Sequence, residues 1–182
     1  PKLLLGVFTN TQARMNSVIL TFFINMWVKT YMSDNDEAYN RAMMLSGIAN
    51  VVGMISAVLV GFIFENAKST TLLLINNLLV VIGYTMLLFI DEKNNLIILA
   101  FSLSSFGFYG LVTLGYVILN KNVGHAARGA VMGVNTWGWA VGILVLTKLG
   151  GYLFINVSVL SPFMMCAVMS LLVSVVLIIP SF

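Results

Sequence analysis

An all-α bundle of membrane-crossing helices is the fold class this sequence predicts, and three observations carry the prediction. Of its 182 residues 60% are apolar and only 8% charged, with a mean hydropathy of +1.02, whereas soluble domains run near 45–50% apolar and about 25% charged. Six apolar stretches follow one another along the chain, each close to the roughly 20 residues that a helix needs to cross about 30 Å of hydrocarbon. Only short polar knots separate them, so residues 1–182 read as one domain with no room for a soluble module.

The elements follow in order. The first span is placed over residues 13–32, with the apolar segment 3–8 before it either extending it or lying at the interface. Asp34 followed by Glu37 resembles a capping box, which sets acidic groups against the positive end of a helix. The second span therefore starts there and covers 36–64, about 43 Å of helix. That exceeds the hydrocarbon, so its first turns, with Tyr39, Asn40 and Arg41, belong among the headgroups. Ser69 is placed as the cap of a third span over 70–90, which the polar turn 91–95 ends. The fourth covers 96–120 and the fifth 126–149, closed by Gly150-Gly151, whose freedom at positive φ suits a helix C-terminus. Ser161 as cap and Pro162 in the first turn open the sixth, 161–179, before Pro180 stops it.

Composition excludes several functions. The net charge of +3 is dispersed, without a basic run that tracks phosphates, so nucleic acid is not an expected partner. A single cysteine, Cys166, permits neither an intrachain disulfide nor a thiolate metal cluster and reads as a packing residue. No serine–histidine arrangement or buried aspartate pair offers catalysis, and no glycine-rich loop ending in Lys-Ser/Thr offers ATP-driven work. We expect no enzyme activity, metal or cofactor. The chain opens at Pro1, with neither an initiator methionine nor the pattern of a cleavable signal peptide, as a piece of a longer protein would.

Small residues recur at helical spacing. Ala49, Gly53, Ala57 and Gly61 fall every fourth residue along the second span and mark a face that another helix can approach closely. The fifth span carries Gly129, Gly133, Gly138 and Gly142. These are the second spans of the first and last three, as a three-plus-three inverted repeat produces.

Three passages resemble the C-terminal half of a major facilitator superfamily transporter. Arg128-Gly129-Ala130-Val131-Met132-Gly133 is similar to the Arg-Gly-x-x-x-Gly that opens the family's eleventh helix. Leu149-Gly150-Gly151-Tyr152-Leu153-Phe154, followed by Ser161-Pro162-Phe163, is similar to the exit from that helix and the entry into the twelfth. Gly61-Phe62-Ile63-Phe64-Glu65 is similar to the start of the family's Gly-x-x-x-Asp-Arg-x-Gly-Arg-Arg loop, although Asn66, Lys68, Ser69 and Thr70 depart from its basic cluster. The resemblance implies that the six spans are the family's helices seven to twelve. It also implies that Glu65 and Arg128 belong to cytosolic loops, and that both small-residue stripes meet a second six-helix half, in the same gene product or in a separate chain.

On that topology Lys2, Arg14, Lys68, Lys121 and Arg128 face the cytosol and Lys29, Arg41, Lys93 and Lys148 the other side, a five-to-four tally in favour of positive-inside. No acidic residue falls within a span, so proton coupling would need a carboxylate from the other half, and facilitated diffusion is equally compatible. His125 reads as an interfacial loop residue and Arg128 as a headgroup or loop contact. Asn25, Asn50, Tyr109, Asn135 and Trp139 lie near mid-span and are the candidates to line a cavity for a neutral or amphipathic solute. Asn76 and Asn77, on a third span expected at the periphery, read as structural. Two functions fit: a multi-pass membrane carrier of a small solute working by alternating access between lipid-embedded halves, or a transporter-derived structural subunit of a larger assembly.

Overall fold

The computed structural model describes residues 2–64, 67–90 and 94–178, and among these the chain is helical, joined by short turns. Helix α1 runs through Lys2–Val18, a π-helical turn at Ile19–Phe23 and Ile24–Tyr31. It is followed by α2 (Asn35–Ile63), α3 (Ser69–Met86) and α4 (Leu96–Asn122). After a 3-10 turn at His125–Ala127, α5 spans Arg128–Asn156 with a second π-helical turn at Leu146–Gly150, and α6 covers Ser161–Ile178. Five of these helices, α2 to α6, are long and apolar enough to cross a membrane. Helix α1 matches α2 in length but is polar through its middle.

The Asp34 cap expected of α2 is present. Its Oδ1 accepts the backbone N–H of Asp36 at 2.8 Å and of Glu37 at 3.4 Å, pairing two of the donors that a helix start leaves free. Asp34→Ala is expected to cost about 1 kcal/mol and to show as faster amide exchange confined to the first turn of α2. Ser69 and Ser161 differ from expectation, since each is the first helical residue; Lys68 holds the position before α3 and makes no side-chain cap bond.

Helices α1 and α4 form the centre. Helix α4 packs against α1, α2 and α3, while α1 also touches α2, α5 and α6, and α6 leans on α3. Trp27 of α1 meets Phe101 of α4 and Phe163 of α6 at ring-centroid distances of 5.8 Å, and Tyr84 of α3 lies 5.9 Å from Phe163. All four are buried, as is Cys166, in keeping with its reading as a packing residue. Helix α3 packs on α4 and α6 and turns Asn76 and Asn77 inward: both are buried, and their Nδ2 groups donate to the carbonyls of Leu72 and Leu73.

Three expectations are corrected. Of the two readings of segment 3–8 the structure takes the extension, because the helix is continuous from Lys2 and this segment forms its opening turns, ahead of the expected start of the first span near Ala13. The fifth does not end at Gly150-Gly151. Both residues are helical, with φ of −61° and −63°. Gly150 serves close packing instead, since a Cβ there would lie 3.2 Å from the Phe23 ring.

The third correction concerns the stripes. On α2, Ala49 and Gly53 are buried, and a Cβ on Gly53 would overlap the ring of Tyr109. Gly61 is half-buried and faces Thr113 of the same helix α4, and Ala57 is half-buried. This stripe therefore receives α4 of its own chain. On α5 the four glycines divide. Nine residues at about 100° each are two and a half turns, which puts Gly138 on the face opposite Gly129. Gly138 and Gly142 close on Thr11 of α1, whereas Gly129 and Gly133 have nothing within 4 Å.

Candidate functional site

The sequence Thr9-Asn10-Thr11-Gln12-Ala13-Arg14-Met15-Asn16-Ser17 forms the middle of α1 and cannot face hydrocarbon cheaply, so its side chains turn inward. Thr9, Asn10, Gln12 and Asn16 are buried. Gln12 Nε2 donates to Asn77 Oδ1 at 2.7 Å and to Ser170 Oγ at 2.6 Å, tying α1 to α3 and α6. Asn10 Nδ2 donates to Asn135 Oδ1 at 3.1 Å, tying α1 to α5. These bonds on opposite sides of α1 fix its rotation.

That rotation turns Arg14, Ser17 and Thr21 toward α2 and α4. With Leu20, Asn50, Phe108, Tyr109 and Val112 they line a cleft of about 180 Å³. Two bonds hold α2 beside it: Ser46 Oγ donates to the Leu20 carbonyl at 2.9 Å, and Ser56 Oγ donates to the Phe106 carbonyl. Within the cleft the Tyr109 hydroxyl donates to Asn50 Oδ1 at 2.6 Å, and Asn50 Nδ2 donates back to the Ser46 carbonyl at 2.9 Å. The Arg14 guanidinium lies 4.0 Å from the ring centre of Trp139, a cation–π stack, and Trp139 in turn meets Tyr116 edge-on at 5.7 Å.

Of the expected cavity residues, Asn50 and Tyr109 line the cleft and Trp139 backs it through Arg14. Asn135 is buried in its bond to Asn10 and serves the α1–α5 contact. Asn25 lies beyond the cleft, with its Nδ2 on the Thr21 carbonyl at 3.0 Å. The π-helical turn explains its displacement. Such a turn takes one extra residue, so residues after it are rotated by about 100° from the face that Arg14, Ser17 and Thr21 share.

Arg14 was missed because a span starting at Ala13 makes it an interfacial charge. It stands about 18 Å along a continuous helix of about 45 Å, so the helix extends well to either side of it. The legible signal was the absence of glycine and proline from residue 7 to residue 32, which leaves nothing to interrupt the helix. Removing Arg14 from the cytosolic count leaves four basic residues on each side, so the charge tally no longer favours an orientation. Among the described residues the acidic side chains are Asp34, Asp36 and Glu37, all exposed at the start of α2, and no carboxylate pairs with Arg14.

Of the loop residues, Arg128 is exposed at the start of α5, and Glu65 lies outside the described residues. Phe64, next to it, is buried with the Lys121 ammonium 4.5 Å from its ring centre.

A cleft that gathers polar side chains from three helices of an apolar bundle suits a transporter, and the comparison with known families agrees. No curated relative matches the chain. The family model described as Major Facilitator Superfamily matches residues 3–181, and the chain belongs to that superfamily of membrane transporters.

Proposed function

We propose that residues 1–182 form one six-helix domain, the C-terminal half of a carrier that moves a small solute by alternating access. The observation that carries this is the cleft between α1, α2 and α4. Polar side chains at membrane depth are costly and concentrate on solute pathways, and carriers of this type bind near the midplane, between halves that rock against each other. A structural subunit has no need of an open cleft bearing polar side chains, so the scaffold reading is the weaker one.

The partner half has a place to dock. Helices α2 and α5 are the least covered of the five apolar spans. Their outward side chains include Met54, Val58 and Phe62 on one and Val134, Trp137 and Leu144 on the other. The open pair Gly129 and Gly133 adds a surface that another helix can approach closely. The reciprocal docking of α2 on α4 through Gly53, and of α5 on α1 through Gly142, supports a three-plus-three arrangement.

Alternating access makes a test that needs no knowledge of the solute. In vesicles holding the whole transporter, with its other cysteines replaced, Ser17→Cys is expected to react with a membrane-impermeant thiol reagent from either side. Labelling from one side only, or none at all, rejects the carrier reading.

A further inference from the structure

We propose that the cleft binds the oxyanion group of a small organic solute, a carboxylate or a phosphate, and that Arg14 is the residue that holds it. The inference rests on the carrier reading and adds the chemical class of the cargo. Sequence alone pointed to a neutral or amphipathic solute, because it placed no acidic residue inside a span and counted Arg14 among the charges on the cytosolic side.

The geometry changes that expectation. An arginine keeps its charge at any working pH, and a charge at membrane depth needs a partner. Trp139 covers one face of the guanidinium at 4.0 Å. A ring face stabilises a cation but accepts none of its five N–H bonds in the plane of the fork. Arg14 Nε is buried and has no hydrogen-bond partner, and no carboxylate among the described residues reaches the group. Nε is thus closed off from solvent, and the two terminal amino groups are the donors left for the cleft that Arg14 itself lines.

A planar fork with its face occupied and its edge open matches an oxyanion that accepts two parallel N–H bonds. The remaining wall suits the rest of such a molecule. Ser17, Thr21, Asn50 and Tyr109 provide neutral polar groups, while Leu20, Phe108 and Val112 provide an apolar side. None of these bears a negative charge that would repel the anion. The small volume favours a short molecule.

The whole transporter carrying Ser17→Cys in vesicles tests the assignment, with the thiol one helical turn from Arg14 as reporter. Its modification by a sulfonate-bearing thiosulfonate and by an ammonium-bearing one gives a rate ratio that reads the local charge. Arg14→Gln is expected to shift that ratio toward the cationic reagent by at least about tenfold, and Arg14→Lys to preserve it. Butyrate or inorganic phosphate should slow modification by a neutral maleimide, and the arm that protects tells carboxylate from phosphate recognition. Butyramide, the uncharged analogue of butyrate, should not protect. Arg14→Lys keeps the charge without the planar fork and should lose most of the protection.

An unchanged rate ratio in Arg14→Gln overturns the proposal, as does equal protection by butyramide or none by either anion. Labelling from one side only rejects the carrier reading instead, yet the charge ratio remains measurable from that side, so the two failures are distinct.

Discussion

Replacing Gly53 by leucine is expected to separate α2 from α4 and to destabilise the protein by at least about 2 kcal/mol, since forcing atoms into a filled interface typically costs about 1–3 kcal/mol and sometimes more. Even one carbon at this position would overlap the Tyr109 ring. That ring is not free to yield, because its hydroxyl is bonded to Asn50 one turn away on the same helix as Gly53 and it meets the Phe108 ring edge-on at 4.7 Å. The damage therefore reaches the cleft as well as the packing. Gly133→Leu provides the control on a glycine with nothing near it, and its effect on the six-helix domain is expected to stay within about 0.5 kcal/mol. Thermal unfolding of both variants in detergent checks the pair, and equal losses would mean that Gly53 is no closer to a neighbour than Gly133.

Trp27→Ala is the other substitution with a large expected effect, about 3–5 kcal/mol from the vacated volume. Trp27 is 1% exposed and touches Tyr31, Phe101 and Phe163 with ring centroids 5.3 to 5.8 Å apart, so three helices lose contact together. Its indole Nε1 has no hydrogen-bond partner. Trp27→Phe thus sacrifices volume but no bond and is expected to cost clearly less than alanine. A comparison of midpoints under denaturant decides this, and a phenylalanine variant as unstable as the alanine one would show that the indole nitrogen matters after all.

How much of this was legible in the sequence depended on the kind of signal. Helices α2, α4 and α6 begin within a residue of the expected positions because chemistry marks those places: Asp34 caps, the polar turn before Leu96 interrupts, and Pro162 suits only a first turn. Helix α1 was misplaced because its central residues are polar, and a hydropathy reading assigns polarity to the membrane surface. In a bundle it also signals burial against other helices, as Gln12 between Asn77 and Ser170 shows. Gly53, Gly138 and Gly142 mark close approach without naming the partner, whereas Gly129 and Gly133 have nothing within 4 Å. Gly53 serves a tyrosine 56 positions further along the same chain, and no periodicity within α2 contains that information. The Gly150-Gly151 pair was read as a stop because glycine tolerates unusual backbone angles, whereas the use of Gly150 is the lack of a side chain beneath Phe23 and Gly151 has nothing within 4 Å.

The unneutralised guanidinium of Arg14 also gives the bundle an electrical asymmetry. A membrane potential does work on any charge that crosses its field, about 2.3 kcal/mol per 100 mV for a full crossing, and under the proposed alternating access part of that field would shift across Arg14. A monovalent anion held there cancels the charge. Voltage would then govern the return of the empty carrier, while the loaded step would proceed at nearly the same rate in polarised and depolarised membranes.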